Sequence, residues 1–292
     1  MVQIVFAILG VLTLYFSYFF ITDLAKNKED IVTGKASWGI SGIIGFLVDF
    51  LDAMGIGSFA LSTLLLEATK QLDNYGQLPG TLNVGHSIPV VIEAFIFIAV
   101  VDVEPMTLFS LIAAAIAGSF IGSKFVSQLP EKKVQFFVGW ALLATAVLMG
   151  LQQAGVLDML GSGNEATGLT GIPLIIGIVG NFILGSLMTI GVGLYAPCMA
   201  LVYMLGLNPL IAFPIMMGSC AGLMPVAGVN FIREGKYNRK VSIAFTIFGA
   251  LGVYVATKFV TNLPLDILTW LIIVVIIYTS IMYIRKSKAV EA

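Results

Sequence analysis

AGSFIGSKFVSQLP at 117–130 returns, without a gap, as LGVYVATKFVTNLP at 251–264. Gly118, Lys124, Phe125, Val126, Leu129 and Pro130 recur as Gly252, Lys258, Phe259, Val260, Leu263 and Pro264. Apolar bias alone matches some positions between any two hydrophobic helices. It does not reproduce Lys-Phe-Val followed, after two residues, by Leu-Pro. A shorter pair precedes each copy: MGIGSF at 54–59 answers to IGVGLY at 190–195. One plan is therefore written twice along the chain.

What that plan builds follows from composition. The 292 residues are 59% hydrophobic and 11% charged, against about 45–50% apolar and about 25% charged in a soluble domain. A membrane helix needs about 20 predominantly apolar residues to cross a hydrocarbon layer about 30 Å thick, and such runs fill the chain almost end to end. The run at 2–22 lacks a basic n-region and a small-x-small cleavage site, so it reads as a retained helix rather than a secretory signal. A net charge of −1 offers no basic surface for nucleic acid. Cys198 and Cys220 lie in apolar stretches at no zinc-ligand spacing and read as core thiols. There is no Walker A, G-x-S-x-G or H-E-x-x-H motif, and the single histidine has no neighbouring His or Cys. The sequence thus calls for no cofactor, no metal and no enzymatic activity.

The order of runs gives the organisation. Residues 1–36 form an N-terminal transmembrane helix and a basic loop. The first repeat, 37–152, contains an interrupted apolar stretch at 38–70 and helices at 80–101, 106–126 and 134–151. A Gly-rich linker, 153–170, leads to the second repeat, 171–284, with an interrupted stretch at 171–206 and helices at 209–232, 240–261 and 265–284. A basic tail, 285–292, follows.

Lys and Arg concentrate in cytoplasmic loops. The basic clusters are Lys26/Lys28/Lys35, Lys124/Lys132/Lys133, Arg233/Lys236/Arg239/Lys240 and Arg285/Lys286/Lys288. They share one side only if both interrupted stretches are re-entrant hairpins that enter and leave by the same face. The expected fold is then an all-α integral membrane protein of two inverted repeats, each a re-entrant helical hairpin plus three transmembrane helices, preceded by one extra helix. Its N-terminus lies outside and its C-terminus on the cytoplasmic side of a plasma membrane. The competing reading has Gly55/Gly57 and Gly191/Gly193 merely kink two ordinary spanning helices.

A helix that starts inside the membrane leaves unpaired backbone N–H groups and the positive end of its dipole there. The new helices begin at Ser58 and Tyr195, and the glycines let a ligand approach the backbone. Two such tips facing each other suit a small anion. Gly55, Gly57, Ser58, Gly191, Gly193 and Tyr195 are therefore candidate substrate ligands, with Asn83, Asn181 and Ser219 as neutral hydrogen-bonding groups. Ionisable residues inside the spans form the second signal. Each central Asp costs about 2.5–3.5 kcal/mol to insert, so Asp49, Asp52, His86 and Glu93 should face a protein interior or a wet cavity. They are candidate proton-coupling residues. The plainer reading is that these groups hydrogen-bond one another and lock helices together.

DFLDAMGIGSFA at 49–60, LPGTLNVGHSIPVVIEAFIF at 78–97 and the segment 177–225 together resemble the TauE/SafE family of bacterial permeases, often called sulfite exporters. The likeness covers roughly residues 39–283. It implies movement of a small oxyanion or organosulfonate, with the bilayer and that anion as partners and room for a homodimer. Many members have a Gly-rich segment without acids where this chain has Asp49 and Asp52. Negative charge there opposes an anion unless the acids are protonated or a cation travels too. A transporter of a cation or metal held by Asp49, Asp52 and Glu93 is the alternative, and an intramembrane enzyme a remote one.

Overall fold

The structure is a computed structural model that describes residues 2–191, 193–259 and 265–288. The described residues are helical, with no strand beyond a single bridge between Ala166 and Leu207. Part of the duplicated motif, 260–264, and the end of the tail lie outside them.

The helices are α1 (Val2–Lys26), α2 (Lys28–Thr33), α3 (Trp38–Ala53), α4 (Ser58–Ala68), α5 (Leu78–Gly85), α6 (Ser87–Val100), α7 (Pro105–Val126), α8 (Glu131–Gln153), α9 (Val156–Gly161), α10 (Gly171–Met188), α11 (Tyr195–Met204), α12 (Ala212–Arg233), α13 (Arg239–Ala244), α14 (Ala250–Phe259) and α15 (Leu265–Lys288). A π-helical segment, Phe245–Gly249, joins α13 to α14. With Tyr75–Ala99 (through α5 and α6) and Arg239–Lys258 (through α13, the π segment and α14) each taken as one span, seven helices among the described residues are long and apolar enough to cross a membrane. They include Gly171–Met188, which the sequence reading assigns to a hairpin arm. They do not include α15, a helix of 24 residues whose side chains are described only in part.

Local chemistry sets the ends. Ser37 caps α3 through Ile40 N–H, and Asn238 caps α13 through Val241 N–H. Glu104 caps α7 more fully: one carboxylate oxygen accepts from Met106 N–H at 2.9 Å, the other from Thr107 N–H at 2.6 Å and from the Thr107 hydroxyl at 2.7 Å. Pro105 stands at the first helical position, where its missing N–H costs nothing.

At the centre is α12, almost wholly buried and packed by α1, α5, α6, α7 and α11. Outer helices show large apolar residues instead, such as Leu14 and Tyr18 on α1 and Ile172, Ile175 and Val179 on α10. Those faces suit acyl chains.

Contacts between the two halves are reciprocal: α7 packs on α10 while α14 and the π segment pack on α3, α4 touches α15 while α11 touches α8, and α8 packs on α15. The reciprocity reaches single atoms. A Cβ on Gly118 would sit 2.0 Å from the Phe182 carbonyl oxygen, and one on Gly252 would sit 2.2 Å from that of Phe46. Gly118 and Gly252 are partners in the duplicated motif, and Phe46 and Phe182 are partners in the Gly-x-Gly register. Glycine is required at both, since only it lets the helices approach so closely.

The ends of each interrupted stretch also meet. Ser37 N–H donates to the Gln71 side-chain oxygen at 2.7 Å, closing 38–70 at its mouth. Asn208 N–H donates to Ala166 O at 2.9 Å, and Asn164 donates to Tyr203 O at 2.8 Å, closing 171–206.

Candidate functional site

Both interrupted stretches break at their glycines. Gly55 and Gly57 hold φ of +90° and +89°, and Gly191 holds +115°, a backbone region that side-chain-bearing residues rarely enter. After each break a new helix starts: α4 at Ser58 and α11 at Tyr195. The two tips lie side by side, since a Cβ on Gly57 would stand 3.9 Å from Tyr195 Cδ2.

Between them lies a cavity of about 30 Å³, room for about two waters. Its lining comes in equivalent pairs from the two halves: Gly57 with Gly193, Ser58 with Leu194, Ala60 with Ala196, Phe59 with Tyr195 and Asp52 with Met188. Ile56, Thr145, Val90 and Cys220 complete it. The frame is matched but the chemistry is not. The first half contributes a carboxyl and two hydroxyls, from Asp52, Ser58 and Thr145, and the second a thioether, a thiol and a phenol.

Asp52 is 1% exposed and lines this cavity, and neither of its carboxyl oxygens has a hydrogen-bond partner among the described residues. Tyr195 donates its hydroxyl to Glu93 at 3.0 Å, joining an acid of the first half to the second, with Met217 Sδ 2.9 Å away. The other Glu93 oxygen is unpartnered among the described residues.

Next to the cavity is a second polar chain. Asp49 meets His86 Nδ1 at 2.6 Å, and His86 Nε2 meets the Ser62 hydroxyl at 2.9 Å, all three fully buried. With Asp49 ionised, Nδ1 donates to it and Nε2 accepts from Ser62; one added proton turns Nε2 into a donor and reverses the serine. His86 stands at the joint between α5 and α6, where Pro89 removes the N–H that would bond Gly85 O. That carbonyl accepts instead from Thr246 in the π segment, at 3.4 Å. Phe245, one residue earlier, lies against the imidazole with ring centroids 4.9 Å apart.

Gly249 completes the arrangement: a Cβ there would fall 1.9 Å from Asp49 Oδ2. In the other half the equivalents of Asp49 and Gly249 are Gly185 and Ala115, and there the glycine has changed sides.

Other predicted residues lie elsewhere. Asn83 bonds Pro79 O in its own helix. Asn181 on α10 donates to Leu111 O at 2.7 Å and to Ser219 on α12 at 2.8 Å, tying α10 to α7 and α12. None of the three lines the cavity between the tips. Gly55 and Gly191 set the turns behind it. Sequence reasoning missed Ser62, Thr145, Met188 and Gly249, and passed over Cys220 as core. Met188 could have been found by carrying the Gly-x-Gly register back to Asp52.

Residues 1–149, just over half of the chain, match the family described as Sulfite exporter TauE/SafE. The chain belongs to the TauE/SafE family. No curated protein and no solved structure gives a significant match. Membership in TauE/SafE makes the chain a multi-pass membrane protein of a transporter family, with the bilayer as its solvent and a small molecule as its cargo. The matched portion contains Asp49, Asp52, the first glycine break, His86 and Glu93.

Proposed function

We propose that this TauE/SafE protein is a secondary transporter that carries a small anion, such as sulfite or an organosulfonate, across the plasma membrane together with a proton. The observation that carries the reading is the pair of helix tips, at equivalent places in the two halves, that open on one cavity. Ser58 and Tyr195 begin helices whose first N–H groups have no intrahelical acceptor, and that end favours negative charge.

In this reading 38–70 and 171–206 are re-entrant hairpins, a proposal supported by the bonds that join their ends. The halves are inverted repeats, supported by the reciprocal packing, which is the pattern of a two-fold relation. The basic clusters then share the cytoplasmic face. In support, Arg239 pairs with Asp23 at 2.7 Å and Asp30 at 2.8 Å, and Lys240 reaches Gly34 O at 2.7 Å. Asn230 bonds Ser123 at 2.8 Å, which sets the ends of α7 and α12 together, and Tyr283 near the tail bonds Glu67 at 3.2 Å.

Asp49, His86 and Ser62 form the proton-handling branch, and Asp52 and Glu93 flank the tips. A cavity with room for about two waters must widen before an oxyanion fits, so the tips part and rejoin in each cycle. The cation or metal reading has less behind it: among the described residues no three of His, Cys, Asp and Glu gather closely enough to hold an ion. Labelled sulfite uptake into proteoliposomes tests the proposal. An imposed pH gradient is expected to accelerate it, and Asp49→Asn to remove the acceleration. Uptake indifferent to the gradient would refute the coupling, and no uptake of any small anion would refute the function.

A further inference from the structure

We infer that Asp52 selects, among small anions, those that bring a hydrogen-bond donor of their own, a protonated oxyanion or a hydroxy- or ammonio-sulfonate, and turns away donor-free anions and dianions. The inference rests on the anion reading and narrows its substrate class.

Asp52 occupies a chemically odd position. It is 1% exposed and lines the cavity between the helix tips; the Ser58 and Tyr195 hydroxyls lie beside its carboxyl, but neither stands in hydrogen-bonding geometry to it, and Tyr195 donates to Glu93 instead. A buried carboxyl left in that condition is costly, whereas its neighbours are served: Asp49 has His86 and Glu93 has Tyr195. The group still lacking a partner is the one that faces the cargo space.

The remaining walls say what the partner must be. The first turns of α4 and α11 present N–H groups suited to oxyanion oxygens. Elsewhere in the lining, the Cys220 thiol, a weak donor, is spent on the thioether of Met188 at 3.7 Å, and Met188, the equivalent of Asp52, has no donor to give. Tyr195 is committed to Glu93, and the Ser58 hydroxyl stands at the α4 tip among the donors for the anionic end, so a bound anion that engages the tip leaves Asp52 to be matched from the ligand. A ligand O–H or N–H on Asp52 satisfies both, whereas sulfate would set its second negative charge against the carboxylate.

The discriminating pair of probes is 2-hydroxyethanesulfonate and 1-propanesulfonate, which differ by a hydroxyl in place of a methyl. Calorimetric titration of the full chain in lipid nanodiscs is expected to show the hydroxy compound binding at least about tenfold more tightly, as a hydrogen bond to a charged group provides. Asp52→Met, which copies the second half's residue, should invert the preference. Asp52→Asn keeps the side chain's shape should that variant not fold, and should reduce the ratio to about threefold or less, mainly through tighter propanesulfonate binding. Equal binding of both probes by the unaltered protein overturns the inference and leaves the anion reading standing. A ratio unchanged in a variant that still binds overturns it as well. If neither probe binds, the inference falls, and sulfite entry into proteoliposomes decides whether the anion reading falls with it.

Discussion

Gly249 and Asp49 show how one atom's absence can carry a site. With a Cβ, Gly249 would press to 1.9 Å from Asp49 Oδ2, so Gly249→Ala is expected to destabilise the protein by about 1–3 kcal/mol through overpacking. Asp49→Gly should cost stability too, by stripping His86 Nδ1 of its partner. The double variant recreates the glycine–alanine pair found at Gly185 and Ala115, so it should melt well above the additive expectation, with a coupling of about 1 kcal/mol or more. Melting curves for the four proteins check this, and simple additivity would show that the two positions do not share one space. Neither Gly249 nor Ser62 was legible in the sequence. A glycine in an apolar run and a serine in a helix have many roles, and only packing reveals that these two face Asp49 and His86. Asp49, Asp52, His86 and Glu93 were legible, because their charge inside a span demands an explanation.

Among the elements, α7 depends on its first turn. Glu104 takes both N–H bonds and the threonine hydroxyl there, which hold its carboxyl below the ordinary glutamate range. A group depressed in the folded state lends stability above its unfolded pKa and withdraws it as pH falls through the folded one. Glu104→Gln should therefore melt below the unaltered protein at neutral pH, with the gap closing on acidification past the ordinary glutamate range. A gap constant with pH would assign the cap's worth to shape rather than charge. The helix starts at Ser58 and Tyr195 were readable from Gly-x-Gly alone. The joint at His86 and the π segment at Phe245–Gly249 were not, since the first depends on Pro89 acting on a carbonyl four residues before its place in the chain and the second on what α3 presents to it. A run of apolar residues looks the same whether its helix is continuous or interrupted.

Across the whole molecule, the duplicated motif and the apolar runs announced a helical membrane protein whose plan is written twice, because both signals survive in residue identity. Which residues meet across the halves did not. The sequence placed Asn181 and Ser219 at the cargo site, yet they bond each other and a backbone carbonyl of α7, since polarity alone does not tell a ligand from a fastening. The proposed orientation is open to single-cysteine labelling in a variant lacking Cys198 and Cys220. Positions 28, 132 and 236 should react with an impermeant thiol reagent only from the cytoplasmic face, and 102 and 158 only from the other. Mixed labelling within either set would remove the hairpins from the fold. The unlike lining of the cavity has a last consequence. Two first halves joined to each other would set Asp52 against Asp52 in one small chamber, and two second halves would set Met188 against Met188 with no charge to read. The copies thus line the cavity as complements rather than spares.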